Sequence, residues 1–272
     1  MDVRERHGPV ARTVAPAPSG VVTALATTPV KGLRLCARQE LVLSRDGVAD
    51  NRRFFLVDER GKMVNGKRVG ILAAVRADYD PTCERLTMRF PDGSCASDTV
   101  ELGESLEVRF FSRTPTVQLV RGPWAQALSE YAGVPLRVVR GDGVDRGRAG
   151  AVSLISEASI ARLTEVAGQT VDPRRFRMLV QVAGPSAHEE DSLVGGTVRI
   201  GSALVAIHGN VGRCLVTGQD PDTGVPDMAT LELLAYRKPV VTTEPLAFGV
   251  FGEVLEPGAV RVGDAVFAER RG

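Results

Sequence analysis

One cysteine stands in a sequence context that favours chemistry. Cys214 directly follows Arg213 and precedes the turn-forming run Asp220-Pro-Asp-Thr-Gly224. A nearby guanidinium lowers the pKa of a thiol, and the thiolate is the form that attacks electrophiles or binds soft metals. A cysteine is by type more often a small buried side chain. Its position beside a charge, at a predicted strand start and next to a rigid Asp-Gly turn, predicts instead a functional thiol.

Basic residues form four short clusters, each at a predicted strand edge or bend. The guanidinium fork suits phosphate because it donates two hydrogen bonds at once. Neighbouring side chains on a strand point to opposite faces, so at most one of Arg52 and Arg53 can line a given cavity. The clusters predict a local anion site, with ordinary solvated charge as the alternative. They are Lys31 with Arg34, Arg52 with Arg53, Lys67 with Arg68, and the run Arg174–Arg177.

The three histidines, His7, His188 and His208, are scattered, and the sequence contains no HExxH, no P-loop and no dinucleotide-binding glycine motif. His208 lies six residues before Cys214, which leaves a cysteine–histidine pair open; the alternative is a partly buried strand residue. The acidic run His188–Asp191 is predicted to be a solvated loop rather than a metal site.

Composition narrows the class of protein. The chain has 272 residues, 43% of them hydrophobic, and 34 basic against 33 acidic residues give a net charge of +1. We expect one large or two small domains and no nucleic-acid or membrane partner. Four dispersed cysteines without a Cys-x-x-Cys pair predict reduced thiols and a cytoplasmic protein. Residues 1–19 have no apolar core of a signal peptide and are predicted to be a disordered tail.

Most of the chain has the pattern of short strands separated by Gly, Pro, Asp and Asn. Asp58–Lys62 is predicted to be a hairpin turn. The predicted strand runs are VVTALATTPV, ELVLSR, RRFFLVDERG, ILAAVRADYD, RLTMRF, SLEVRFF, MLVQVAG, TVRIGSALVAIHG, RCLVT and AVRVGDAVFAE.

Three segments are predicted to be helices. Trp124–Ala132 ends at a glycine, and Ser156–Ala167 begins at an N-cap serine and also stops at a glycine. Ala229–Tyr236 follows Asp227 as its expected N-cap. The glycine-rich segment Gly141–Gly150 is predicted to be a loop that covers a cleft or is mobile.

Several short motifs, taken in their order along the chain, resemble those of the MOSC-domain family. The family is named for the C-terminal domain of molybdenum cofactor sulfurases. The sequence is most similar to the group of the mitochondrial amidoxime-reducing component and its bacterial relatives. The resemblance implies an α+β, mainly β fold, with an N-terminal β-barrel domain at 20–120 packed on a MOSC β-barrel domain at 121–272. The motifs are PVKG, NRRFFLVDERGKMV, LISEASIARL, RRFR, RCLVTGQDPDTG, LAYR and GAVRVGDAV.

The resemblance also implies an activity. Cys214 would ligate the molybdenum of a molybdopterin cofactor, and the enzyme would reduce N-hydroxylated small molecules to amine and water. Without a cysteine-rich tail for an iron–sulfur cluster, a separate electron-donor protein would supply the electrons. Arg213 and Asp220 complete the implied catalytic set. The implied cofactor contacts are Lys31, Arg52, Lys67, Ser156, Arg177 and Thr217.

Three positions depart from the family pattern: Asn51 replaces the common Asp, Asn65-Gly66-Lys67 replaces Thr-Ala-Arg, and Leu179 replaces Asn. The departures favour an alternative in which Cys214 carries a persulfide or attacks a carbon–sulfur compound, with no molybdenum. A further alternative is a non-catalytic module that binds or delivers the cofactor.

Overall fold

The computed structural model describes residues 19–145, 147–237 and 246–269. Of the predicted disordered tail only Ser19 is among them, and its amide donates a hydrogen bond to the Val266 carbonyl at 2.7 Å. The rest of that prediction lies outside the described residues.

The secondary structure is mainly β with few helices, which confirms the predicted fold class. The strands of the first half are β1 (Gly20–Thr27), β2 (Cys36–Arg38), β3 (Glu40–Leu43), β4 (Phe54–Val57), β5 (Met63–Val64), β6 (Arg76–Asp80), β7 (Arg85–Arg89), β8 (Cys95–Thr99), β9 (Glu101–Glu107) and β10 (Thr116–Arg121). Those of the second half are β11 (Arg137–Arg140), β12 (Val152–Ser156), β13 (Val180–Ala183), β14 (Thr197–Ile200), β15 (Ala203–Gly212), β16 (Ala247–Glu256), β17 (Gly258–Arg261) and β18 (Ala265–Glu269). The helices are α1 (Trp124–Ala132), α2 (Glu157–Ala167) and α3 (Thr230–Leu233).

Seven of these strands close into a barrel in the order β13-β12-β16-β15-β14-β18-β1, and β1 completes it by pairing with both β18 and β13. Alternating side chains along the strands fill the interior because successive residues point to opposite faces. Leu25, Leu154, Val205 and Val250 belong to this core and are buried.

The other large sheet has the order β5-β4-β11-β10-β9. Strand β4 is buried on both faces: Phe54 and Leu56 enter a core with Trp124, whereas Phe55 and Val57 enter a core with Phe110. The three-stranded sheet β6-β7-β8 packs on the Trp124 side, and β17 pairs with β3.

The two halves of the chain exchange strands. β1 comes from the first half but closes the barrel of the second, and β11 comes from the second half but pairs with β4 and β10. The predicted domain division at residue 120 stays a prediction, and the strand pairing crosses it in both directions.

Two predicted helices are confirmed with their caps. The Ser156 hydroxyl accepts a hydrogen bond from the Ser159 amide at 3.1 Å, and Gly168 ends α2 in the left-handed region. Gly133 ends α1 in the same way, with φ 66°. Glycine suits this position because a side chain at positive φ clashes with its own backbone.

The third predicted helix is wrong in its start and its length. α3 covers only Thr230–Leu233, its N-cap is Ala229, and a 3-10 turn at Leu234–Arg237 follows. Asp227 caps nothing there because its carboxylate binds Arg175.

Two strand predictions also need correction. The hairpin turn at Asp58–Lys62 is confirmed, with β4 and β5 antiparallel on either side. However, Gly70–Ala74 is a 3-10 helix, so the strand predicted from Ile71 begins only at Arg76. RCLVT is not a strand: β15 ends at Gly212, and a 3-10 helix follows at Leu215–Gly218. None of the helices in the described residues has the length and apolar character that crossing a bilayer requires.

Candidate functional site

Cys214 lies where the chain leaves the barrel. Its side chain is exposed, and the residue caps the 3-10 helix that follows β15. The preceding Arg213 is directed into the protein: Nε donates to the Phe248 carbonyl at 2.9 Å, and Nη1 donates to the Phe176 carbonyl at 2.8 Å. Its guanidinium also lies over the Phe176 ring, 5.3 Å from the centroid. Arg213 therefore anchors the point at which the cysteine emerges.

Thr217 fixes the backbone of this loop through hydrogen bonds to Cys214. Its amide and hydroxyl both donate to the Cys214 carbonyl, at 3.0 and 2.9 Å. The side chain is buried, and the Thr217 carbonyl accepts a hydrogen bond from Thr230 at 2.9 Å. Thr217 thus ties the cysteine to α3.

Asp220 organises the turn that follows. Its Oδ1 accepts hydrogen bonds from the amides of Asp222 and Thr223, at 3.0 and 2.8 Å, and from the Thr223 hydroxyl at 2.9 Å. Burial acts to raise the pKa of Asp220, but the hydrogen bonds from Thr223 and Asp222 lower it, and the net pKa lies below the ordinary value. An ionised carboxylate therefore holds the turn.

Three arginines brace the same turn. Arg34 and Arg174 both bind Asp222, and the Arg174 fork reaches its two oxygens at 2.8 and 2.7 Å. Arg175 is buried; it binds Asp227 through both terminal nitrogens at 2.6 Å and donates to the Gln219 carbonyl at 2.8 Å. These members of the predicted basic clusters therefore position the loop.

The loop also packs against the first half of the chain. Gln219 donates to the Gly66 carbonyl at 2.7 Å, and Gly224 lies so close to Gly70 that a Cβ on Gly224 would stand 1.8 Å from the Gly70 carbonyl oxygen. Lys67 follows Gly66 and its side chain is exposed. The predicted contact residue Lys67 thus lies beside the loop from Cys214 to Gly224, which is called the cysteine loop below.

A second group of predicted residues meets around Asp145. Lys31 Nζ lies 2.5 Å from Asp145 Oδ1, and Arg52 Nη1 lies 3.0 Å from Oδ2. Arg52 Nη2 also donates to the Arg177 carbonyl at 3.1 Å, and Arg177 donates to the Leu33 carbonyl at 2.6 Å. Lys31, Arg52 and Arg177 therefore converge, whereas Arg53 points to Asp142.

The backbone at this cluster is strained. Arg52, Arg177 and Phe111 have φ of 54°, 52° and 54° without being glycines. Phe111 lies beside Lys31, whose Nζ is 5.7 Å from its ring centroid. Left-handed conformations of bulky residues cost free energy and concentrate at functional sites. Three such residues around one partly buried cation mark this cluster as a candidate binding site.

The cysteine loop and the cation cluster are neighbours through one short connection. Phe176, whose carbonyl binds Arg213, directly precedes Arg177. Cys214 directly follows Arg213. A thiol on a braced loop and a cluster of partly buried cations thus belong to one region.

Two family models match the chain. A model of the MOSC domain matches residues 129–267, and a model of the MOSC N-terminal beta barrel domain matches residues 19–118. The chain belongs to the MOSC-domain family.

Curated relatives carry the name of one enzyme group. A mitochondrial amidoxime reducing component 2 from Bos taurus is 37% identical over 127 residues, which is 43% of this chain and 36% of the relative. A mitochondrial amidoxime-reducing component 1 from Danio rerio is 26% identical over 278 residues, covering 91% of this chain and 84% of the relative. The matched segment thus spans little more than a third of the bovine relative's length. Among solved structures, the YUAD protein from Bacillus subtilis aligns with 93% of this MOSC protein and 97% of its own chain, at 13% identity and a TM-score of 0.46.

Ser156 lies in a buried polar cluster that the sequence did not reveal. Its hydroxyl donates to Glu190 at 2.9 Å, and the Ser159 hydroxyl donates to the same carboxylate at 2.7 Å. Glu190 is only 1% exposed and belongs to a 3-10 helix at Glu189–Leu193. The prediction of a solvated loop at His188–Asp191 is therefore wrong. As a cofactor contact, Ser156 stays a prediction.

His208 cannot serve as a base for Cys214. It lies on β15 with its imidazole 3.6 Å from Glu253, and the remaining strand carries Cys214 roughly 15–20 Å away. Within the described part of the chain, no three His, Cys, Asp or Glu side chains gather as a metal site.

The donor set fits a molybdenum–pterin group in its chemistry. Cys214 offers a soft sulfur ligand, and Lys31 and Arg52 offer charge to an anion. Leu179, where the family pattern has an asparagine, points into the barrel core: it is buried, and its amide donates to Ser153 at 3.1 Å. The residue at this position therefore serves the core.

Proposed function

We propose that this MOSC protein binds a molybdenum–pterin cofactor and reduces N-hydroxylated small molecules to amines. The observation that carries the proposal is the exposed Cys214 thiol, held on a braced loop beside the partly buried cations Lys31 and Arg52. The names of the curated relatives support the same reaction class.

Each residue has a role in this proposal. When bound, the cofactor would supply the two-electron redox chemistry that reduction of an N-hydroxylated compound requires. Cys214 binds the metal as thiolate, and Arg213, Thr217 and Asp220 hold that thiolate in one direction. Their common action is positioning, since Arg213 binds the Phe176 and Phe248 carbonyls, and Thr217 and Asp220 bind a carbonyl and amides of the loop.

The cations would neutralise the anionic cofactor. Lys31 and Arg52 are partly buried and lie together, Arg177 bridges them to the cysteine loop, and Lys67 adds an exposed charge at the edge of that loop. Ser156 is proposed as a further contact on the family pattern alone.

The overall reaction needs two electrons and two protons for each N-hydroxylated molecule, and it yields the amine and water. We propose a separate electron-donor protein as the source of electrons and a small-molecule substrate as the oxidant. The cytoplasmic location predicted from the cysteine count stays a prediction.

The proposal is tested on the full chain produced in a host that makes the cofactor. We expect about one molybdenum per chain, measured by elemental mass spectrometry, in the wild type and in Cys83→Ala, whose exposed cysteine lies in the turn between β6 and β7. Cys214→Ala should lose reduction of a test amidoxime while its unfolding midpoint stays unchanged. Retained metal together with retained activity in Cys214→Ala would contradict the ligand role.

Sulfur transfer is the second candidate, favoured by the Asp145 carboxylate that lies between Lys31 and Arg52. The Cys214 thiolate would attack the outer sulfur of a donor persulfide, forming the Cys214 persulfide and releasing the donor thiolate. Metal-free protein that gains the mass of one sulfur atom on Cys214 would support it. A non-catalytic module would instead bind the cofactor without turnover.

A further inference from the structure

A cavity of about 720 Å³ lies between the turn that follows Cys214 and three elements of the first half of the chain. The turn contributes residues 222–226, and the other walls are the 3-10 helix Gly70–Ala74, the end of α1 and the turn between β7 and β8. The volume is within the range of sites that take small organic molecules, roughly 300–1,000 Å³. The wall that the described residues form includes neither Cys214 nor the Lys31–Arg52 cluster, so this is a separate site.

Two exposed aliphatic side chains meet in this cavity. Gly70 and Gly224 touch through their backbones, and the residues that follow them, Ile71 and Val225, both line the cavity. Ile71 is 45% exposed and Val225 is 59% exposed, which leaves much of their apolar surface in water. Exposed apolar side chains that gather in a concave place are typical of a ligand site.

An aromatic pair forms another wall. The ring centroids of Phe90 and Tyr131 lie 5.4 Å apart, and the two rings are inclined at 57°. Pro91 adds a further apolar ring beside them. An aromatic ligand packs on such a pair in offset or edge-to-face contact, which adds attraction beyond the apolar area that is buried. The cavity therefore favours a planar aromatic ring in its ligand.

Two arginines reach the cavity from directly opposite positions of one strand pair. Arg76 on β6 and Arg89 on β7 are register partners, so their side chains leave the sheet on the same face. Like charges placed opposite each other destabilise a sheet. Arg89 is compensated by Asp78, which lies 3.1 Å from its Nη1. The Arg76 guanidinium has neither a hydrogen bond nor an ion pair with any of the described residues.

Three nearby carboxylates already have donors. Asp222 in the wall and Asp78 on β6 are each shared by two arginines, neither of which is Arg76. Asp92, in the turn between β7 and β8, accepts hydrogen bonds from the amide and the hydroxyl of Ser94 at 2.9 and 2.7 Å. An anion that pairs with Arg76 therefore comes with a ligand.

Tyr131 offers a second donor. Its hydroxyl has no hydrogen-bond partner in the described part of the chain. Burial, together with the nearby charge of Asp92, raises the pKa of Tyr131. The hydroxyl therefore keeps its proton at neutral pH and can donate a hydrogen bond to a carboxylate.

From this arrangement we infer that the cavity binds a small aromatic carboxylate. The ring of the ligand packs on Phe90 and Tyr131, and its carboxylate accepts two parallel hydrogen bonds from the Arg76 guanidinium. A carboxylate fits better than a phosphate group, because one guanidinium without an acidic partner matches its two oxygens and its single charge. The site is independent of the cofactor, and its ligand contacts the turn that ends the cysteine loop.

The test measures binding of cinnamate, and of its neutral amide cinnamamide, to the full chain by calorimetry. The wild type should bind cinnamate at least about fivefold more tightly than cinnamamide, because a charged hydrogen-bond pair replaces a neutral one. Arg76→Gln removes the charge, so its affinity for cinnamate should fall by a similar factor, while that for cinnamamide changes by less than about twofold.

The matched control is Arg85→Gln in the same sheet. Arg85 is exposed, lies at the end of β7 remote from Arg89, and is outside the cavity wall. Its loss should change the affinity for cinnamate by less than about twofold.

Four outcomes of these titrations would overturn the inference. They are no binding of cinnamate at millimolar concentration, unchanged affinity in Arg76→Gln, an equal loss in Arg76→Gln and Arg85→Gln, and binding of hexanoate as tight as that of cinnamate. The last would remove the assignment to an aromatic acid, since hexanoate has the charge without the ring.

Hydrogen exchange in the wild type locates the ligand. The Phe90 amide bonds the Ser94 carbonyl at 3.0 Å, and the Gly224 amide bonds the Asp220 carbonyl at 2.8 Å, in two walls that are far apart in sequence. Saturating cinnamate should slow exchange at both amides, because a ligand between the walls opposes the opening of either. Slower exchange at only one amide, or at neither, would count against this cavity. Both measurements work without molybdenum, so failure of the proposed function leaves them valid.

Discussion

His188 shows how one residue couples stability to pH. Its imidazole packs against Tyr236 and Phe248, and Nε2 lies 3.1 Å from the Tyr236 hydroxyl. Burial, together with the nearby charge of Arg237, lowers the pKa of His188 to about 4. The folded protein therefore keeps this imidazole neutral over a pH range in which the unfolded chain protonates it.

The free energy of unfolding should consequently fall as the pH drops from about 6.5 towards 4. The unfolded state binds a proton in this window and the folded state does not, so His188 contributes stability above the unfolded pKa that is lost as the pH falls through the folded pKa. At pH 5 the loss attributable to His188 is on the order of 1–2 kcal/mol. Urea unfolding at several pH values measures it.

The variant His188→Asn separates this effect from packing. Asparagine tolerates the left-handed backbone that His188 adopts, with φ 66°, and does not titrate. Near pH 8 the His188 imidazole is neutral in both the folded and the unfolded wild type. The difference in the free energy of unfolding between wild type and variant at that pH therefore reports packing alone. Equal pH slopes for wild type and variant between 6.5 and 4 would show that His188 is not the titrating group.

At the residue scale, the sequence predicted a set of cations for a ligand but neither which of them gather nor their protein partners. Lys31, Arg52 and Arg177 converge near Asp145, whereas Lys67 lies beside the cysteine loop. Arg174 and Arg175 instead bind carboxylates 48 and 52 positions away. A local pattern contains no information about such pairs, because the fold creates them.

At the scale of elements, the close approach of two backbone turns seats the cysteine loop. Gly224 has φ 72°, and its Cα lies against the Gly70 carbonyl. Glycine is needed there for two reasons, the backbone angle and the absence of space for a Cβ. The contact joins the turn after Cys214 to the 3-10 helix Gly70–Ala74 of the first half.

Gly224→Ala should therefore displace the loop. The added Cβ meets backbone that cannot yield cheaply, so we expect a loss of more than about 2 kcal/mol in the free energy of unfolding and weaker cofactor retention. Gly133→Ala is the matched control: its φ is also positive, at 66°, but no atom lies within 4 Å of a Cβ there. It should cost only about 1 kcal/mol, from backbone strain alone. Equal losses of unfolding free energy in the two variants, measured by urea unfolding, would show that the contact with Gly70 does not contribute to stability.

The elements differ in how far the sequence predicted them. Alternation of apolar residues located most strands, and a serine N-cap with glycine C-caps located α1 and α2, because these signals are local. The runs ILAAV and RCLVT have strand composition but form short 3-10 turns. Contacts such as Thr230 to Thr217 and Gly70 to Gly224, made by the tertiary structure, override that composition.

The whole molecule is held together by the exchanged strands. Leu25 on β1 lies in the barrel core, while Trp124 lies in the other core with residues of the β4 sheet. β1 leads directly into the segment of Lys31, whose amide donates to the Phe54 carbonyl at 2.8 Å. The barrel and the β4 sheet therefore share backbone hydrogen bonds at the candidate site, and sequence motifs arranged in two blocks could not reveal this.

If this exchange couples the two cores, the protein should unfold in one transition. Leu25→Ala removes a buried side chain from the barrel and should cost about 2–5 kcal/mol. The fluorescence of the sole tryptophan, Trp124, reports unfolding of the other core. The urea midpoint followed by this fluorescence should shift as far as the midpoint followed by hydrogen exchange of the barrel amides. Leu102→Ala on the exposed face of β9 should shift neither by more than about 0.5 kcal/mol. A Trp124 midpoint that stays fixed while the barrel amides lose protection would mean that the halves unfold separately, and that the strand exchange contributes little to their coupling.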